Sequence, residues 1–347
     1  MPLQSDITIN YEKFDPASIS SATLSFNQKL QNTMAKIPRW YEIGAGTYRA
    51  LRRSGRTPLP APILSPTARN FALPSRDPQR SIPCRLLEPQ TGKPQAVFMH
   101  IHGGGWVLSD EESSDVYLQT LADTCGLLCL SVGYRLAPEF PFPAATEDCY
   151  DVAEWLVDNA QAKFGCPLTF VGGESAGANL AVLTMLHLAH SSVVRYANFR
   201  FLGLLGHYGT YSLQWSASMK NFKKDPPLVL DEDIMTNFRE AYLPGLTADE
   251  FVSPKISPLF ADLATVNLPP AFFTCGTEDC LLDDSVFMSV KWMMAGGEAI
   301  IRIYPGSPHG YIMFPEDTHE NVTVALRDLQ MFVRAKMARE EKSTPTL

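Results

Sequence analysis

An α/β fold, with a mainly parallel eight-stranded sheet flanked by helices, follows from three observations on this 347-residue chain. Short runs rich in β-formers alternate with longer runs of helical periodicity through most of its length. The first strand-like runs precede that alternation, which places antiparallel strands at the start of the sheet. Finally, Gly173-Glu174-Ser175-Ala176-Gly177 joins the apolar run 168–172 to the breaker-free helical run 178–189. A strand that turns into a helix across G-x-S-x-G puts a serine on a tight, exposed turn.

In chain order, Ser21 to Met34 reads as a helix, and Trp40 to Arg53 as a second. The Pro58-to-Pro62 stretch ends it as a connector. Strand signals follow near 67–74, 82–88, 95–102, 126–133, 168–172, 200–206, 270–275 and 299–304. Helical patterns lie near 112–124, 143–164, 176–190, 283–296 and 317–339. The interval 207–268 breaks the alternation, with Tyr208, Tyr211, Trp215, Met219 and Phe222 ahead of a helical Ile234–Leu243. A stretch this long without strands reads as a lid or insertion.

The chemistry-bearing residues fall in loops just after predicted strands. Ser175 is a weak nucleophile until a base takes its proton. His309, in Ser307-Pro308-His309-Gly310-Tyr311, is the candidate base, and Asp279 is the carboxylate that orients it. Asp283 and Asp284 open a helix, where carboxylates commonly cap N–H groups. His102-Gly103-Gly104-Gly105-Trp106 follows another strand, and consecutive glycines suit backbone N–H groups that must approach a developing negative charge. The other histidines fit worse. His100 sits within a strand, His187 and His190 lie on the helix after Ser175, and His319 starts the last helix at the surface. His207 follows a strand end and is held as a binding candidate, while His102 reads as a brace for the glycine loop.

These motifs, with Tyr134-Arg135-Leu136-Ala137-Pro138-Glu139 and Phe142-Pro143-Ala144-Ala145, make the chain resemble the hormone-sensitive-lipase-like branch of the α/β-hydrolases over roughly residues 65 to 335. Cys280 where the family often has Pro, and Tyr311 where it often has Phe, are mild departures. The resemblance implies an α/β-hydrolase fold with a helical cap: 1–60 as the N-terminal part of the cap, 61–206 and 256–347 as the two parts of the core, and 207–255 as the cap insertion. It implies oxyanion N–H groups from Gly104, Gly105 and Ala176, and a substrate pocket bordered by Trp106, His207, Tyr208, Trp215 and Tyr311. The implied activity is that of a serine carboxylesterase, working through an acyl-enzyme on short- to medium-chain or small-metabolite esters. Two alternatives stay open: a metabolite-specific deacetylase or amidase on the same triad, and a non-catalytic small-ligand receptor. The receptor fits less well because His309 is retained.

Composition agrees. A net charge of −8 argues against a nucleic-acid partner. No apolar run approaches membrane-spanning length. The start of the chain shows neither basic nor apolar signal character, and its end is not a peroxisomal address. Seven scattered cysteines without ligand spacing read as reduced core residues of a cytoplasmic protein. The Asn321-Val322-Thr323 sequon reads as accidental. No metal site or cofactor is expected, and homodimerisation stays open.

Overall fold

The computed structural model describes Ser5 and residues 7–343, with side chains through residue 339. The terminal segments read for a signal or an address therefore lie largely outside the described residues. One sheet holds β1 (Arg69–Pro74), β2 (Ser81–Leu87), β3 (Ala96–Ile101), β4 (Leu127–Val132), β5 (Leu168–Glu174), β6 (Gly203–His207), β7 (Ala271–Glu278) and β8 (Ala299–Pro308). Their spatial order is β1-β2-β4-β3-β5-β6-β7-β8. β2 runs antiparallel to both β1 and β4, and every later pairing is parallel. β3, β4 and β5 are buried along their whole length, which is why they read as unbroken apolar runs. Their side chains still alternate: Val97, Met99 and Ile101 join one core cluster, Ala96 and Phe98 the other.

The helices are α1 (Ser21–Met34), α2 (Trp40–Ile43), α3 (Ala45–Arg53), α4 (Asp115–Cys125), α5 (Ala144–Phe164), α6 (Ala176–Ala189), α7 (Val194–Ala197), α8 (Ala217–Asn221), α9 (Glu232–Tyr242), α10 (Leu282–Met294) and α11 (Glu320–Ser343). Buried residues of α5, α6 and α10 fill one face of the sheet, and those of α4 and α11 the other. α6 is buried almost all round, since it lies between the sheet and α5. The helix read over Trp40 to Arg53 is in fact two. Gly44, at φ 85°, breaks it between α2 and α3.

Two segments outside the alternation meet over the C-terminal edge of the sheet. α1–α3 supply one, and α8 and α9 the other. Arg39 pairs with Asp231 at 3.3 Å, Tyr41 bonds Asp233, and Gln31 donates to the Pro226 carbonyl at 2.8 Å. The Trp40 and Phe238 rings stack with centroids 5.1 Å apart. His319 is buried against Phe26 rather than exposed, because α1 covers the start of α11. Asn321 is also buried, with its amide donating to the Pro305 carbonyl and Ser307 Oγ, so the sequon is spent on holding the β8 loop.

Candidate active site

Ser175 sits between β5 and α6 with φ 55° and ψ −118°, a strained conformation for a residue with a side chain. Close packing enforces it. A Cβ on Gly177 would lie 1.9 Å from the Ile101 carbonyl oxygen, so β3 and α6 approach closely only because that position is bare. The Ser175 N–H is anchored by the carbonyl of His207 at 2.9 Å.

His309 leaves the end of β8 and Asp279 the end of β7. His309 Nε2 is 3.0 Å from Ser175 Oγ, and Nδ1 is 2.9 Å from Asp279 Oδ2. The other Asp279 oxygen accepts the Leu281 N–H at 2.9 Å, which fixes the carboxylate. All three residues are buried. The sequence-predicted Ser175, His309 and Asp279 are thus brought into one hydrogen-bonded line. Asp283 and Asp284 are not part of it. Asp283 accepts from the Ser218 N–H, and Asp284 from the N–H groups of Tyr211 and Ser212, each at 2.8 Å. They tie α10 to the segment after β6 instead of capping their own helix.

The glycine loop faces Ser175. Among the described residues, the N–H groups of Gly104, Gly105 and Ala176 donate to no protein acceptor. Gly104 has φ 106°, and a Cβ there would lie 2.2 Å from the Leu108 oxygen, so the turn demands glycine. His102 stacks on Tyr134 at 4.2 Å and places Nδ1 2.8 Å from the Gly103 carbonyl, while the Tyr134 hydroxyl donates to the His102 carbonyl. Burial lowers the His102 imidazole to about 4, so it is neutral at pH 7 and braces the loop. Glu174, beneath the turn, meets His100 at 2.9 Å.

Over this floor lies a cavity of about 1020 Å³, counted out to its mouth, a size suited to a small molecule. Its walls are mostly apolar, with Met34, Trp40, Leu108, Met235, Phe238 and Met313 among them. Of the five aromatic and imidazole side chains expected to border it, Tyr208 does so. The remaining four require correction, because each is consumed by packing. Trp106 is fully buried and stacks on Tyr242 at 4.6 Å. His207 is held between Thr274 and the Tyr117 hydroxyl, and burial lowers it to about 4. Trp215 donates to Thr236 and carries the Arg239 guanidinium 4.4 Å over its ring. Tyr311 donates to Thr274 and packs behind Tyr208. The sequence reading missed Phe238, Met235 and Arg52 as lining residues. The apolar face of α9, with Ile234, Met235, Phe238 and Tyr242 at helical spacing, was the signal for the first two.

Among the described residues no helix is long and apolar enough to cross a membrane, and no cluster of side chains suits a metal ion. A family model for the alpha/beta hydrolase fold matches residues 98–313. Carboxylesterase NlhH of Mycobacterium tuberculosis is 32% identical over 237 residues, 67% of this chain and 72% of its own length. An arylesterase of Saccharolobus solfataricus is 29% identical over 256 residues, 71% of this chain and 77% of its own. The solved structure of a hyperthermophilic esterase from the archaeon Pyrobaculum calidifontis superposes with a TM-score of 0.77 at 28% identity, covering 90% of this chain and 97% of that one. With the matched region spanning well over half of its length, the chain belongs to the α/β-hydrolases, in their hormone-sensitive-lipase-like branch.

Proposed function

We propose that this protein is a serine carboxylesterase that hydrolyses small carboxylic esters through an acyl-enzyme at Ser175. One observation carries the reading: the Ser175–His309–Asp279 line lies beside three backbone N–H groups that have no protein acceptor among the described residues. With its proton on Nδ1, donated to Asp279, His309 presents Nε2 as an acceptor to the serine hydroxyl. Ser175 Oγ attacks the ester carbonyl as its proton passes to Nε2. The carbonyl oxygen gains charge and is met by the N–H groups of Gly104, Gly105 and Ala176, each such donor being worth about 3–4 kcal/mol. His309 returns the proton to the departing alcohol, and a water activated the same way releases the acid. The α1–α3 and α8–α9 segments act as a cap that limits the acyl group to short or medium length. The esterase names of the relatives and of the structural neighbour agree with this activity. All seven cysteines are buried and unpaired, which supports a reducing, cytoplasmic setting.

A fluorophosphonate is expected to label one residue and to abolish cleavage of p-nitrophenyl esters. Ser175→Ala should lose both labelling and turnover while keeping its thermal melt. Labelling that persists in the variant would remove Ser175 from the role.

A further inference from the structure

The C-terminal half of α3 carries Arg49, Arg52 and Arg53, and the three guanidinium groups have different fates. Arg49 grips Glu139 with two bonds of 2.9 Å and also donates to the carbonyls of Val107 and Ala137. Arg53 pairs with Asp110 at 2.7 Å. Arg52 has neither a side-chain hydrogen bond nor an ion pair among the described residues, and its Nε is buried without a partner. The residue is partly exposed as a whole, so it is the inner end of the guanidinium that is shut off from water.

Its position is specific. Arg52 lines the catalytic cavity and also the two clefts that adjoin it, so it stands at the junction of all three. The groups that face it offer no free carboxylate. Asp110 is already held by Arg53 and by the Ser113 hydroxyl at 2.7 Å, and Tyr48 and Tyr208 are phenols kept neutral by burial. Glu174, the carboxylate in the cavity wall, is occupied by His100. A permanently charged fork in an apolar cavity, without a counter-charge, is costly unless something anionic arrives. Burial accordingly lowers the hold of Arg52 on its proton, in the direction that an arriving anion reverses.

We propose that Arg52 is a specificity-determining residue that receives a carboxylate of the substrate, so that the ester turned over by this protein is itself an anion. This rests on the ester-hydrolase reading and narrows its substrate class to half-esters of diacids or esters whose alcohol half bears a carboxylate. A planar guanidinium binds such a group with two parallel N–H donors, an arrangement that lysine does not reproduce.

The test uses two matched pairs with the full-length protein. In one pair the charge lies on the acyl half: p-nitrophenyl hemiglutarate against p-nitrophenyl valerate. In the other it lies on the alcohol half: 4-acetoxybenzoate against its methyl ester. Rates with Ser175→Ala supply the background. The wild type is expected to favour the anionic member of one pair by about tenfold in kcat/KM, mainly through KM, the pair identifying which half carries the charge. That ratio should collapse in Arg52→Gln and recover only in part in Arg52→Lys. Glutarate should inhibit valerate hydrolysis competitively in the wild type, an arm that needs no variant to fold. Neutral esters cleaved with no preference in either pair, or a preference that survives Arg52→Gln, would overturn the assignment and leave the esterase reading standing. Silence on all four esters together with absent fluorophosphonate labelling would overturn both.

Discussion

The floor and the roof of the cavity are held by different means. The floor is backbone: Ser175 at φ 55° and Gly104 at φ 106°, each held by neighbouring main chain, with Gly105 at φ 61° lying against the Phe238 ring. The roof is side chain: the Trp40–Phe238 stack, the Arg39–Asp231 pair and the Tyr41–Asp233 bond join two segments that are distant in sequence. A backbone turn tolerates almost no substitution, whereas a packed ring can be exchanged for another apolar group at modest cost. On the proposed reading, placing the reacting atoms on the first and the lining on the second separates turnover from selectivity.

Breaking the floor should therefore cost turnover. Asp279→Asn is expected to cut kcat by roughly 10⁴, the scale found when a catalytic histidine loses its orienting carboxylate. Asp283→Asn, which disturbs only a bond to Ser218, should stay near wild-type turnover. Turnover retained in the first and lost in the second would transfer the role to Asp283. Gly105→Ala comes next. Its Cβ would fall 2.4 Å from Phe238 Cγ on a backbone at positive φ, and displacing one oxyanion donor costs about 10²–10³ in kcat. Pairing it with Phe238→Ala sharpens the contrast. Removing the ring relieves the clash but not the backbone strain, so the double variant should recover little; full recovery would mean that the roof, not the turn, sets the floor.

Roof substitutions should move KM instead. Phe238→Leu is expected to change KM for aryl esters by roughly three- to tenfold with kcat nearly unchanged, since the wall stays apolar but loses the ring stacked on Trp40. The smallest effect on turnover is expected at Asp284, where the readout is stability. Asp284→Ala leaves the N–H groups of Tyr211 and Ser212 unmet, at about 1–3 kcal/mol each. Burial raises the Asp284 carboxyl from 3.8 to about 7. The folded state then holds a proton that the unfolded chain releases, so this group's contribution to stability falls as pH rises from about 4 to 7. The stability of the wild type relative to Asp284→Asn, read from denaturant melts, should accordingly fall between about pH 4 and 7, and a relative stability that rises over that range would contradict the raised value.

Much of this was legible in the residues themselves, for a local reason. A strand, a G-x-S-x-G turn and a following helix specify one another within a few residues, so the positions of Ser175, Asp279 and His309 could be read from order alone. The lining could not. Trp106, Trp215 and Tyr311 are as aromatic as Tyr208, and which one faces the cavity depends on ring direction and on partners such as Tyr242, Thr236 and Thr274. Arg52 was equally hidden, because a run of arginines in a sequence does not reveal which member lacks an acid. The same limit applies to Asp284, where helix-opening position suggested a cap and the structure shows a tie across 72 residues to Ser212.

The tie between α1 and β8 has a consequence in time. Asn27 donates its amide to the Gly306 carbonyl at 2.8 Å across 279 residues, and a Cβ at Gly306 would strike Ile19 and Thr23. During synthesis, α1 leaves the ribosome long before the strand that receives it. Its inward side, with Thr23, Asn27, Leu30 and Met34, has no β8 to meet until then. Contacts of such long range are slow to close. A nascent chain halted before residue 306 would carry Ser175, yet with no His309 to meet it and no Gly306 carbonyl to anchor α1. On the proposed mechanism, Ser175 therefore gains its base only once the chain has been made through residue 309.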